Sequence, residues 1–355
     1  MNFSKYIKKY VPKINSEIKL IWENKQNNTN NLFLKEYYAE LQDFFLSGGK
    51  RIRPLLTIAT YNAFEAEPDE KIILPSVGIE FLHNASLIHD DIIDKDEFRR
   101  GKPTFHFRFI NYHKKHNLKK MSGIDFGNST GIIGGDTSFL TGLEAYLFNN
   151  FARDLNLNAI NLYKNAFIEI ANGVLIELDM INQKNLTISD YINMIGLKTG
   201  ALIEKAILIG ANYANIGVKF NNELSTYGKN LGIIFQITDD ILGTFGDENV
   251  TGKGSDGDIR EGKKTCLLIT ALNSLDNSKK NRLNKLIENS EISNDDVIEV
   301  KELFREANVI DSCKHLADSY YQEARTSLDH LKSEIRGSEA EFFENILDFV
   351  VKRDF

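Results

Sequence analysis

The chain has 2 cysteines, 5 prolines and 1 tryptophan in 355 residues. Two thiols, Cys266 and Cys313, cannot form the disulfide framework of a small secreted scaffold, and both are read as reduced. Few prolines leave long stretches without a helix breaker. No apolar run reaches the roughly 18 residues of a membrane-spanning helix, so any membrane contact is expected to be peripheral. Met1-Asn2-Phe3-Ser4-Lys5 leads into no apolar core, so no signal peptide is expected. Basic residues are not in excess: Lys+Arg 43 against Asp+Glu 50 gives a net charge of -7. That disfavours a general nucleic-acid surface. A cytoplasmic protein whose basic residues act locally is the expectation.

What is present is helical periodicity, with little strand-type alternation. The spacing predicts helices over 3–23, 33–46, 52–64, 75–96, 133–151, 156–182, 188–213 and 220–243. It predicts more over 264–274, 278–288, 293–304, 308–332 and 337–352. Residues 24–31 read as a polar linker after the first helix. Residues 107–131, with His113, Lys114, Lys115, His116, Lys119 and Lys120, read as an inserted surface loop or lid. The fold class expected is all-α, a single domain over 1–355 forming a large helical bundle around a central apolar cavity.

Against this apolar background, His89-Asp90-Asp91-Ile92-Ile93-Asp94 stands out. Ionised carboxylates in a helix that buries Leu82, Leu87, Ile88 and Ile92 need a cation or a hydrogen-bonding partner. Asp90 and Asp94 share a helical face, and such hard oxygens suit Mg²⁺. An acidic i,i+4 pair is ordinarily a solvated face. Here a second cluster, Asp239-Asp240 after Phe235-Gln236, and nearby basic residues argue otherwise.

The basic residues fall into four groups. Gly48-Gly49-Lys50-Arg51-Ile52-Arg53-Pro54 joins two helices and puts Lys50 and Arg53 three apart, a phosphate-binding arrangement or a plain basic cap. Arg99-Arg100-Gly101 follows the first aspartates, either salt-bridged to them or facing a shared polyphosphate. Lys198-Thr199-Gly200 interrupts an apolar helix, where a kink facing a cavity competes with a snorkelling lysine. Lys253 and Asp258-Ile259-Arg260-Glu261-Gly262-Lys263-Lys264 follow the second cluster. Acid for metals, base for phosphates and long apolar helices together imply a substrate with a diphosphate head and an apolar tail.

These motifs, in this order, resemble the trans-isoprenyl diphosphate synthases of the polyprenyl synthetase family, most like geranylgeranyl diphosphate synthases. The resemblance runs from about residue 44 onward and includes Gly134-Gly135-Asp136, similar to an alanine-glycine-aspartate helix start in the family. It implies that Asp90 and Asp94 bind Mg²⁺ on an allylic diphosphate, with Asp91 in support. It assigns a third Mg²⁺ to Asp239, with Asp240 and Asp258 acting through metal-bound water. Arg99, Lys198, Lys253 and Lys263 are then expected on the allylic diphosphate. Gly49, Lys50, Arg53, His83 and Arg100 are expected on isopentenyl diphosphate. Thr199 and Gln236 would stabilise a carbocation. A homodimer is also implied.

Three departures qualify the match. Gly243 stands where the second motif usually ends in a third aspartate. Val174 and Glu177 replace a glutamine and an aspartate. Residues 107–131 are longer than the family norm. Ala85 and Ser86, one turn before the first aspartates, are both small. In family members that stop at fifteen carbons an aromatic often stands there, so a product of twenty carbons or more is expected. A deeper stop would come from Phe139, Leu143 or Phe148. The rival readings are a farnesyl or longer-chain synthase, a terpene cyclase, a non-catalytic partner subunit and a structural helical scaffold.

Overall fold

A computed structural model describes residues 3–65, 67, 69–246, 256–289 and 291–352. Its helices are α1 (Phe3–Asn27), α2 (Leu32–Leu46), α3 (Ile52–Phe64), α4 (Ile73–Ile93), α5 (Phe105–Lys115) and α6 (Gly123–Gly142). They continue with α7 (Glu144–Leu147), α8 (Arg153–Met180), α9 (Ile188–Ile195), α10 (Ala201–Tyr213) and α11 (Asn221–Phe245). The last are α12 (Gly257–Arg260), α13 (Cys266–Ser274), α14 (Asn277–Ile287), α15 (Asn294–Glu306), α16 (Val309–Leu331) and α17 (Gly337–Val351). Among the described residues the strands are β1 (Phe98–Arg99) and β2 (Lys102–Pro103), an antiparallel hairpin pairing Phe98 with Pro103. The fold is all-α, as expected. Among the described residues no helix is long and apolar enough to cross a membrane.

The chain divides into two compact units. The first comprises Met1–Lys164, Ala206–Val218 and Ile335–Phe342; the second comprises Asn165–Lys205, Lys219–Glu334 and Phe343–Phe355.

In the first unit, α1 buries Tyr6, Tyr10, Ile14, Ile18 and Trp22. This four-residue repeat makes a single apolar stripe. The Trp22 ring lies 5.2 Å from that of Phe45 and 5.3 Å from that of Phe81. The turn between α2 and α3 is fastened through Arg51, only 3% exposed. Its guanidinium donates to Glu80 at 3.0 Å, to the Asn15 amide oxygen at 2.9 Å and to the Phe45 carbonyl at 2.6 Å. One side chain thus ties α1, the end of α2 and α4 to the same turn.

The segment 107–131 is not a loop. Most of it is α5 and the first half of α6, separated by a short turn. Phe105 and Phe109 are buried and meet each other and Tyr37. The Ser122 hydroxyl caps α6 by accepting from the Asp125 amide at 3.0 Å. Asp136 is also not at a helix start, since α6 begins at Gly123. Glycines along α6 allow close packing. A Cβ at Gly134 would lie 2.4 Å from the Phe105 ring, and one at Gly135 would lie 2.1 Å from His89 Nε2.

In the second unit, α11 is buried along most of its length, and the Tyr227 hydroxyl donates to the Phe343 carbonyl at 2.7 Å. A π-helical turn, Gly196–Gly200, joins α9 to α10. A Cβ at Gly173 of α8 would lie 2.5 Å from the Lys198 backbone nitrogen, and one at Gly232 of α11 would lie 2.5 Å from the Gly200 Cα. Three backbones therefore converge at the Lys198-Thr199 turn.

Removing Glu80 leaves the buried Arg51 guanidinium without its counter-charge. Glu80→Ala is expected to lower the unfolding free energy by about 3–5 kcal/mol, measured by chemical denaturation.

Candidate active site

The first unit carries two adjoining charged groups. Gly48 and Gly49 turn with φ of 104° and 114°, values that glycine adopts without a Cβ clash. Their carbonyl edge is used: Arg100 Nη1 donates to the Gly48 carbonyl at 3.0 Å. Lys50 is exposed. Burial first, then the charges of Arg53, Arg100, Arg99 and Arg51, push His83 well below its ordinary pKa. His83 thus sits where burial and the guanidiniums of Arg53, Arg100, Arg99 and Arg51 disfavour its protonated form. Its imidazole can hydrogen-bond an anion while the arginines supply charge. Gly49, Arg53, His83 and Arg100 come together here.

At the end of α4, Asp91 is 0% exposed. Its Oδ1 accepts from Arg99 Nε at 2.7 Å and from Arg99 Nη2 at 2.5 Å. Asp91 thus holds Arg99 in place. Asp90 and Asp94 lie one turn apart and half-buried, linked by the Asp94 amide donating to the Asp90 carbonyl at 2.8 Å. Ala85 is buried, and the Ser86 hydroxyl folds back on the His83 carbonyl at 2.8 Å.

The second unit carries Lys198 and Thr199 on the π-helical turn, a distortion often found at functional sites. Lys198 is ion-paired with Glu177 of α8. The Thr199 hydroxyl donates to Gln236 Oε1 at 2.9 Å, and Gln236 Nε2 donates to Asp240 Oδ1 at 2.8 Å. The other Asp240 oxygen accepts from the Tyr191 hydroxyl at 2.7 Å. Asp240 is raised to about 8 by burial and then by Asp258, against the hydrogen bonds from Gln236 and Tyr191; Asp239 adds to the rise. Asp258, on α12, lies 3.8 Å from Lys263 Nζ, which also meets Glu261 at 2.8 Å. Lys253 lies outside the described residues.

Among the described residues, no three His, Cys, Asp or Glu side chains form a metal site by themselves. Mg²⁺ seldom needs one, because it is commonly held by one or two carboxylates plus water and substrate phosphate. The donor set fits that habit: Asp90 with Asp94 in one unit, and Asp239 with Asp258 in the other.

Arg51, Glu80 and Tyr191 were not singled out from the sequence. Arg51 lay inside a recognised motif, but nothing in its spacing said that it turns inward. Tyr191 reads as an ordinary core aromatic on an amphipathic helix.

Comparison with known proteins shows the family. The model of the polyprenyl synthetase family matches residues 35–306. A short chain isoprenyl diphosphate synthase of Methanocaldococcus jannaschii is 34% identical over 271 residues, covering 76% of each chain. A geranylfarnesyl diphosphate synthase of Aeropyrum pernix is 33% identical over 318 residues, 86% of this chain and 91% of that one. The crystal structure of a geranylgeranyl pyrophosphate synthase from Corynebacterium glutamicum, complexed with isoprenyl diphosphate and magnesium, matches with a TM-score of 0.91. It covers 100% of both chains at 24% identity, a likeness of fold. The chain belongs to the polyprenyl synthetase family and is a trans-prenyltransferase.

Proposed function

We propose that the chain condenses isopentenyl diphosphate head-to-tail with an allylic diphosphate, with Mg²⁺, and releases geranylgeranyl diphosphate. The observation that carries this reading lies in the first unit. Gly49, Arg53, Arg100 and His83 gather at the turn before α3, and Asp90 and Asp94 stand at the end of α4. One group suits a bare diphosphate and the other a metal-bound one, so two diphosphate substrates are accounted for. A cyclase acting on one diphosphate would have no use for the first.

In this reading Gly49, Lys50, Arg53, His83 and Arg100 hold isopentenyl diphosphate. Asp90, Asp94 and Asp239, with Asp258, would hold three Mg²⁺ ions, which when bound neutralise charge growing on the leaving diphosphate. The family resemblance further assigns Arg99, Lys198, Lys253 and Lys263 to the allylic diphosphate, with Lys198 giving up Glu177 to take it. The allylic C–O bond breaks and its electron pair leaves with the diphosphate. The Thr199 oxygen faces the resulting cation as a fixed dipole, with Gln236 holding it in place. The double bond of isopentenyl diphosphate attacks, and the departing diphosphate takes the proton. Alignment of the two substrates supplies much of the remaining acceleration.

Chain length is assigned to Ala85 and Ser86, small residues one turn before Asp90. Phe148 is not a buried stop for the tail, being 73% exposed. Phe139 stacks on Tyr163 at 5.3 Å between centroids and is the deeper candidate. The apolar stripe Ile132, Ile133 and Leu140 on α6, 49%, 57% and 61% exposed, supports a homodimer.

Mass analysis of products from the purified chain tests this directly. With Mg²⁺, isopentenyl diphosphate and a dimethylallyl, geranyl or farnesyl primer, a dominant twenty-carbon product is expected. No product from any primer would favour the partner-subunit reading. Ala85→Phe is expected to shift the product toward fifteen carbons; an unchanged length would refute the pocket assignment. Asp94→Asn removes a charge worth several kcal/mol at the leaving group, so kcat should fall about 100-fold or more, with a higher Mg²⁺ requirement in a metal titration.

A further inference from the structure

We infer that Tyr191, acting through Asp240 and Gln236, fixes the direction in which the Thr199 hydroxyl points, and is a positioning residue for the cation-forming step. This rests on the reading of Thr199 as a cation-facing group.

Tyr191 is 1% exposed, and its hydroxyl donates to Asp240 Oδ2 at 2.7 Å. The remaining Asp240 oxygen accepts from the Gln236 amide nitrogen at 2.8 Å. With Tyr191 donating to one Asp240 oxygen and the Gln236 NH₂ donating to the other, the Gln236 carbonyl oxygen is turned away from Asp240. That oxygen meets the Thr199 hydroxyl at 2.9 Å. An amide oxygen only accepts, so Thr199 has to donate to it. The Thr199 hydrogen is thereby committed, and the oxygen presents lone pairs in its other directions. These are the negative end of a dipole, the polarity an allylic cation needs. The chain begins at Tyr191, which supplies the proton that keeps the Asp240 carboxylate in register with Gln236.

The backbone is built to hold this relay. Tyr191 lies on α9, Thr199 on the π-helical turn that follows, and Gln236 and Asp240 one turn apart on α11. The close approach of Gly232 to Gly200 brings the two segments together. Asp240 is 5% exposed, so little water replaces a lost partner. The arrangement also separates two adjacent carboxylates: Asp240 is used inward on the relay, whereas Asp239 remains half-exposed.

The test uses Tyr191→Phe, Thr199→Val and the double variant, with Gln236→Met as a second cut in the relay. Tyr191→Phe is expected to lower kcat about 10-fold, as for a weakened preorganised donor, with KM for both substrates within twofold. In the Thr199→Val background it should cost nothing further, because the group it positions is gone. An ammonium analogue of the allylic cation, bound with inorganic diphosphate, should bind about 10-fold more weakly to Tyr191→Phe. Binding of inorganic diphosphate alone should not change. Should Tyr191→Phe fail to fold, Gln236→Met is expected to give the same kcat loss and the same lack of additivity. Multiplicative losses in the double variant, or unchanged kcat and analogue affinity in Tyr191→Phe, would overturn the inference. If Thr199→Val alone left kcat intact, the reading of Thr199 would fail and the inference with it.

Discussion

The buried pair between Asp91 and Arg99 is the constraint on which the first unit's chemistry depends. Asp91 is wholly enclosed in a helix whose neighbours are apolar, and an unpaired carboxylate there would cost several kcal/mol. The chain after α4 therefore has to return a cation to it. The hairpin β1–β2 does this, with positive φ at Lys95, Arg100 and Gly101 marking the reversals. Its two arginines then part: Arg99 goes to Asp91, and Arg100 goes to the Gly48 carbonyl beside His83. One buried pair thus places cations at both proposed diphosphate positions while Asp90 and Asp94 stay half-exposed.

The second unit solves a related problem by other means. Lys198 pairs with Glu177, but Thr199, Gln236, Asp240 and Tyr191 are joined by hydrogen bonds. A mobile cation such as lysine can be handed from Glu177 to a substrate. A dipole meant to face a cation has to be rigid instead, and a satisfied buried network gives rigidity. The π-helical turn places an ion-paired lysine and a hydrogen-bonded hydroxyl on successive residues.

Much of this was legible in the sequence because the burdened residues are of unusual type for their surroundings. Aspartates in an apolar helix, a glycine pair before a basic run and a lysine-threonine step in an aliphatic helix each break a local pattern. Helix positions followed from periodicity, and 52–64 coincides with α3. The misreading at 107–131 has a physical cause. Lysines and histidines at the exposed end of α5 outweighed Phe105, Phe109 and Tyr112, and the glycines of α6 look like a loop until their neighbours are known. A glycine that admits His89 and a glycine in a turn are the same letter. Likewise, three basic residues in one motif do not announce that Arg51 is the one turned inward. That follows from its left-handed φ of 53° and from Glu80, distant in sequence.

The same pairing of charge bears on two of the departures, Glu177 and Gly243. Glu177 is longer than the aspartate it replaces by one methylene, and it reaches Lys198. Gly243 removes a carboxylate where the family usually has one, yet a Cβ there would lie 3.5 Å from Asp258 Oδ2. An aspartate at 243 would thus bring a further negative charge against Asp258, in a group where Asp258 and Asp239 already raise Asp240. With like charges so close, another carboxylate would raise the pKa values further and hold fewer of them ionised. Glycine leaves Asp258 to occupy that side of the cluster.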